Sequence, residues 1–181
     1  HSLACGGAGA RHAAHRSLRS AVGALAARAL AAPSFEVVCF PSAPGLRPDI
    51  LCRAGPGGRP LAIDVGFVCL TASLAAASAS QAGAARAYED IKMEKYAAHA
   101  RAAGFNFAPV IVDALGAWGP LSLVCLRRLA VQAGRLRNDA PSRAVAVEMA
   151  NLSSAAALFT SRLLLANAAG ADPFVDLMPG A

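Results

Sequence analysis

The chain has 181 residues, 56% of them hydrophobic and 15% charged, and carries a formal charge of +6. That length suits one domain, or one domain with an appendage, and the basic balance favours a polyanionic partner. No charge-free apolar run is long enough to span a membrane, since the best stretch, 61–82, contains Asp64; five cysteines, odd in number and without a CxxC pair, do not read as a disulfide framework.

Residues 1–12 are rich in Gly and His and irregular, and a start at His1 with no signal peptide suggests a piece of something longer. Over 13–32, Leu18, Val22, Leu25 and Ala29 recur at helical spacing, and Pro33 and Ser34 stop that helix. A strand is expected over 35–40, followed by a turn at 41–45. Two further strands, 49–53 and 61–70, flank Ala54-Gly55-Pro56-Gly57-Gly58-Arg59, which is hairpin punctuation. Residues 71–103 turn from Ala-rich to charged with helical spacing, and Gly104 closes that helix. A buried strand over 107–112, a Gly-punctuated turn over 115–118, an amphipathic helix over 120–136 and a last helix over 144–168 complete the chain. The order α-β-β-β-α-β-α-α predicts an α/β fold, a small mixed sheet flanked by helices. It divides into an irregular segment 1–12, a core 13–136 and a helical extension 137–181. The cysteines read as reduced, mostly buried thiols in an intracellular protein.

The hairpin makes a geometric prediction. With the turn centred between Pro56 and Gly57, Asp49 lies across from Asp64. Residues opposite one another on an antiparallel pair share a face, with Cβ atoms roughly 5 Å apart. Two carboxylates that close repel unless a cation sits between them, and oxygen-only ligation suits Mg²⁺ or Mn²⁺. Asp64 lies within the apolar run Leu61-Ala62-Ile63-Asp64-Val65, where an unpaired charge is costly. Asp49 taken alone reads as a strand-end cap or a partner of Arg47 or Arg53. Glu36, on the preceding strand, is a candidate third acid or a solvent-facing residue.

Fifteen arginines accompany only two lysines, Lys92 and Lys95. A lysine is a compact charge whose pKa can shift, and it can offset charge that develops on a phosphate. Tyr88, Lys92, Lys95, Tyr96 and His99 fall along one helical stripe, the bland alternative being a solvated face with Glu89 or Glu94 paired to a lysine. His12, His15 and His99 read as helix-face histidines, Trp118 as packing and Asp113 as a turn cap. Arg127, Arg128, Arg135 and Arg137 either track a DNA backbone or form a solvated face.

Arg47-Pro48-Asp49, fourteen intervening residues, Asp64, and then Tyr88-x3-Lys92-x2-Lys95-Tyr96 together resemble the restriction-like endonuclease domain of site-specific non-LTR retrotransposons. That family belongs to the PD-(D/E)XK superfamily. His1-x3-Cys5 resembles the last two ligands of the family's CCHC zinc knuckle, and Arg11-His12 its helix-opening pair. Glu36 matches an acidic strand position, and FAPVIVDALGAW, 107–118, resembles a later strand and Gly-Trp turn. The position two after Asp64 is Gly66, so the lysine comes from the helix.

The resemblance implies a restriction-endonuclease-like core and a nuclear enzyme that nicks target DNA for target-primed reverse transcription. Its partners are DNA and the upstream reverse transcriptase region of the same polyprotein. Asp49, Asp64, Lys92 and Lys95 would be catalytic, with Asp49, Asp64 and Glu36 holding Mg²⁺ or Mn²⁺. Arg47, Tyr88, Tyr96 and His99 would meet DNA. His1 and Cys5 are two ligands where a zinc site needs four, and the knuckle's first two cysteines are missing. The alternatives are an inactive DNA-binding remnant of a retroelement and an Ala-rich helical interaction protein.

Overall fold

The computed structural model describes residues 8–68, 80 and 82–169. The first helix, α1, is Ala8–Arg28. Strand β1 is Pro33–Phe35, β2 is Ile50–Cys52 and β3 is Leu61–Val68. Helix α2, Gly83–Ala102, leads to β4, Asn106–Asp113. Helices α3, Pro120–Leu136, and α4, Pro141–Ala169, follow. The four strands form one mixed sheet in the order β1-β2-β3-β4, antiparallel except for the parallel β3–β4 pair. This is the α/β arrangement and element order that the sequence predicts.

Side-chain alternation along β3 sorts the molecule into two faces. Leu61, Ile63 and Val65 join Leu18, Val22 and Leu25 of α1, Leu126 and Leu129 of α3, and Leu152 and Ala156 of α4 in the main core. The α1 stripe read from the sequence is buried from Leu18 to Ala29. Ala62 faces the other way, against Tyr96 and Ala100 of α2 and against Phe40. Asp64 and Gly66 alternate with it and so face α2. Helix α4, which the sequence sets apart as an extension, supplies part of the main core. Buried Glu148 also ties it to Arg28 of α1 (2.7 Å) and to Arg137 (3.1 Å).

The hairpin register is the predicted one. Ile50 pairs with Ile63, so continuing the register sets Asp49 opposite Asp64. Gly57 and Gly58 take φ of 88° and 80°, which a side chain would strain. The strand expected over 35–40 is displaced. Residues 33–35 are extended, Glu36 turns to φ 52°, and the chain then leaves the ladder. Phe40 is buried among Tyr96 and Phe105 instead of alternating on a strand. Helix α1 ends at Arg28, ahead of Pro33, with Leu30 in a left-handed conformation.

Cys39, Cys52 and Cys125 are free thiols, and burial pushes Cys52 up to about 11 and Cys125 up to about 12. Asp113 caps its turn through Leu115 N–H and Ala117 N–H, both at 2.9 Å. Trp118 is buried and donates to Ser153 Oγ at 3.3 Å. No helix among the described residues is long and apolar enough to cross a membrane. The expected zinc-knuckle ligands His1 and Cys5, the strand end at 69–70 and the helix start at 71 lie outside the described residues, as does the side chain of His12.

Candidate active site

The carboxylate pair stands where the antiparallel ladder stops. In continued register Val65 faces Pro48, which has no N–H to give, so regular pairing ends there. Val65 keeps a free amide and a free carbonyl at that edge, and side chains take them. Asp49 Oδ2 accepts from Val65 N–H at 2.7 Å, and His15 Nε2 of α1 lies 3.1 Å from both Asp49 Oδ2 and the Val65 carbonyl. Asp49 is therefore aimed by backbone and by imidazole.

Asp64 is 3% exposed. Its Oδ2 lies 2.6 Å from Lys92 Nζ. The two form a buried ion pair. Lys92 lies 5.3 Å from the Tyr88 ring centroid and 5.8 Å from that of Tyr96, one helical turn to either side. Tyr96 is itself stacked on Phe107, with centroids 5.2 Å apart. The lysine is thus held by two aromatic faces and directed at one carboxylate.

Gly66 explains why the lysine arrives from a helix. A Cβ there would lie 2.6 Å from Ile111 Cδ1 and 3.0 Å from Tyr88 Cε1. The space that a strand side chain would fill is occupied by Tyr88, and α2 packs closely enough to deliver Lys92 to Asp64.

Burial pushes the Asp64 carboxyl above the usual carboxylate range. Lys92 pulls it back, and Asp49 adds to the rise. For Lys92 burial acts downward, but the neighbouring Asp64 charge and hydrogen bonding, with Tyr88 and Asp49, outweigh it and hold the ammonium above the ordinary lysine value. Burial, with Asp64 close by, raises the Tyr96 hydroxyl well beyond the tyrosine range, so it stays protonated. Hydrogen bonding to Asp49 raises the His15 imidazole against the opposing effect of burial.

These groups open into a cavity of about 320 Å³, lined by His15, Arg47, Asp49, Asp64, Tyr88, Lys92 and Tyr96 among others. The structure brings together Asp49, Asp64, Lys92, Arg47, Tyr88 and Tyr96 from the residues singled out in the sequence. It leaves three outside. Lys95 is exposed, its Nζ 5.2 Å from the Tyr96 centroid on the solvent side of α2. His99 meets Ser42 Oγ at 3.1 Å. Glu36 does not join the acid pair. Its left-handed backbone turns it outward, 64% exposed and paired with Arg19.

Sequence reasoning missed His15. The available signal was its position three residues before Leu18, on the stripe that α1 turns inward. Glu89, weighed as a surface partner for a lysine, is fully buried and caps α3 instead.

Among the described residues no three His, Cys, Asp or Glu side chains are gathered as a metal cluster. Mg²⁺ does not require one. It takes one or two carboxylates and completes its shell with water and substrate phosphate. Asp49 and Asp64 both line the cavity and supply the two carboxylates that such an ion takes.

His15 gives a pH prediction. With its folded pKa raised, protonated His15 favours the folded state. That contribution is whole below the ordinary value of 6.5 and is lost as pH climbs through the raised midpoint. The His15 ring resonance, followed by NMR, is expected to titrate above 6.5, and Asp49→Asn to lower the midpoint. A midpoint that Asn leaves unchanged would contradict the Asp49 contact.

No family model matches the chain, and no curated protein matches it.

Proposed function

We propose that this chain is a metal-dependent DNA endonuclease with a restriction-endonuclease-like core, which nicks target DNA for integration of a non-LTR retrotransposon. The observation that carries the reading is the convergence of Asp49, Asp64 and Lys92 in one cavity, with Lys92 Nζ 2.6 Å from Asp64 Oδ2. The ordered resemblance of the Pro-Asp, Asp and Tyr-Lys motifs supports it, as does the mixed sheet that sets the two acids side by side. The upstream reverse transcriptase region is the proposed partner in the same polyprotein.

The residues divide the work as follows. Asp49 and Asp64 would hold Mg²⁺ or Mn²⁺, which polarises a phosphate and lowers the pKa of an attacking water. Lys92, kept charged by Asp64, offsets the negative charge that develops on the phosphate oxygens. Tyr88 and Tyr96 fix the lysine, so little reorganisation is needed. Arg47, exposed at the cavity, binds and orients the backbone phosphate. His15 and Val65 N–H hold Asp49 in place.

Nicking of supercoiled plasmid in Mg²⁺ or Mn²⁺ tests the reading. The wild-type chain is expected to nick, and Asp64→Asn to lose roughly a thousandfold or more. A folded wild type that binds DNA and never nicks would leave the DNA-binding remnant as the reading.

A further inference from the structure

Helix α3 buries Leu126, Leu129, Ala130 and Ala133 in the core and turns Arg127, Arg128 and Arg135 to solvent. The helix contains no acidic residue. Among the described arginines, Arg19 pairs with Glu36, Arg28 with Glu148, and Arg137 with Asp139 and Glu148. Arg127, Arg128 and Arg135 make no ion pair among the described residues. Three unneutralised guanidinium groups on one face repel one another, and a polyanion would relieve that cost.

The face is shaped as well as charged. The three arginines and Gln132 line a cavity of about 290 Å³ closed by Pro56 and Gly57 at the β2–β3 hairpin tip. Gly57 presents no side chain, and a Cβ there would meet nothing within 4 Å, so the approach is open. Arg128 and Arg135 are seven residues apart, about 10 Å along the helix axis, a span that faces about six charges of duplex DNA. Arginine's planar fork matches phosphate oxygens. The groove is not part of the Asp64 cavity. Asp64 faces α2, while α3 packs on the opposite face of the sheet.

We propose that the groove between α3 and the β2–β3 hairpin tip is a second binding surface for the phosphodiester backbone of duplex DNA, apart from the segment held at Asp49 and Asp64. It rests on the reading that DNA is the substrate. Arg127, Arg128 and Arg135 contact phosphates without reading sequence, and they hold a flanking stretch of DNA while the cavity acts on one bond.

The test measures binding to a short DNA duplex across a range of salt, with Ca²⁺ in place of Mg²⁺, for the wild type and a variant carrying Arg127→Gln, Arg128→Gln and Arg135→Gln. Each neutralised phosphate contributes about 0.9 to the slope of log K against log salt, so the variant is expected to lose about 2.7 from that slope, equally on unrelated sequences. Arg143→Gln, an exposed arginine on α4, is the control for net charge. An unchanged slope overturns the proposal. So does a loss per charge no larger than that of Arg143→Gln, a loss seen on an RNA hairpin and not on the duplex, or a wild type that ignores DNA. The nuclease reading fails separately: Asp64→Asn abolishes nicking or it does not, whatever the slope.

Discussion

Lys92→Met is expected to cut metal-dependent nicking by roughly 10²–10³-fold, while Lys95→Met leaves the rate near that of the wild type. The two lysines are equivalent by composition and lie three residues apart, yet only Lys92 Nζ reaches Asp64 Oδ2, at 2.6 Å. A fixed cationic donor removed from a partly dry site typically costs about 3–4 kcal/mol of transition-state stabilisation, which is the fold-change stated. Lys92→Met also leaves the buried Asp64 without its countercharge, so its carboxyl, already raised by burial, rises further. The activity of this variant is therefore expected to recover partly at higher pH, where Asp64 ionises again. Plasmid nicking across a pH series checks both statements. A large loss in Lys95→Met with a small one in Lys92→Met would reverse the assignment.

Glu89→Ala is expected to lower stability by roughly 3–5 kcal/mol, because it orphans several donors at once. Glu89 Oε1 accepts from Ser122 N–H at 2.7 Å and from Ser122 Oγ at 2.5 Å, and Oε2 accepts from Leu121 N–H at 3.1 Å. These are the first amides of α3. The residue before that helix is Gly119, which has no side chain to cap them, so a carboxylate from α2 does so. Gly119 leaves the room; a Cβ there would collide with the Glu89 carboxylate. The expected fall in Tm is about 10 °C. Glu89→Gln keeps an acceptor for Ser122 but loses the anion at the helix terminus, and is expected to lose about 1–2 kcal/mol. Urea unfolding of the two variants decides the matter. A Glu89→Ala variant as stable as the wild type would mean that α3 is capped some other way.

Both predictions concern α2, whose two sides do different work. Glu89 anchors the helix to the start of α3, and Lys92, one turn later, reaches across to β3. Glu89, weighed as a surface partner for a lysine, is buried and structural, whereas Asp64, inside a strand, is the proposed metal ligand. Local sequence marks Asp64 by its apolar run but leaves Glu89 looking like one more charge of a solvated stretch. What separates them is the element each side chain meets after folding.

Much of the framework was legible because it is written locally. The helical stripe Leu18-Val22-Leu25-Ala29, the Pro-Gly-Gly turn and the apolar strands act over a few residues, where periodicity and turn geometry fix the outcome. The hairpin register followed from the turn centre alone, and with it the juxtaposition of Asp49 and Asp64. The strand expected over 35–40 failed for a nonlocal reason. Its β-forming residues were drawn onto the aromatic cluster of Tyr96 and Phe105, and burial of Phe40 outweighs the strand propensity of that stretch.

By itself, then, the sequence determined the order of elements, the mixed-sheet class and the pairing of the two acids, because each depends on contacts within a turn or a hairpin. Only the tertiary structure decided that Lys92 and not Lys95 faces the site, that His15 braces Asp49, and that Glu36 stays outside. The reason is rotational. Each helical residue turns the side chain by about 100°, so a stripe holding two lysines meets the sheet with one of them only. Which one is set by how α2 packs over Gly66 and beneath Phe40, and those contacts join residues far apart in the chain.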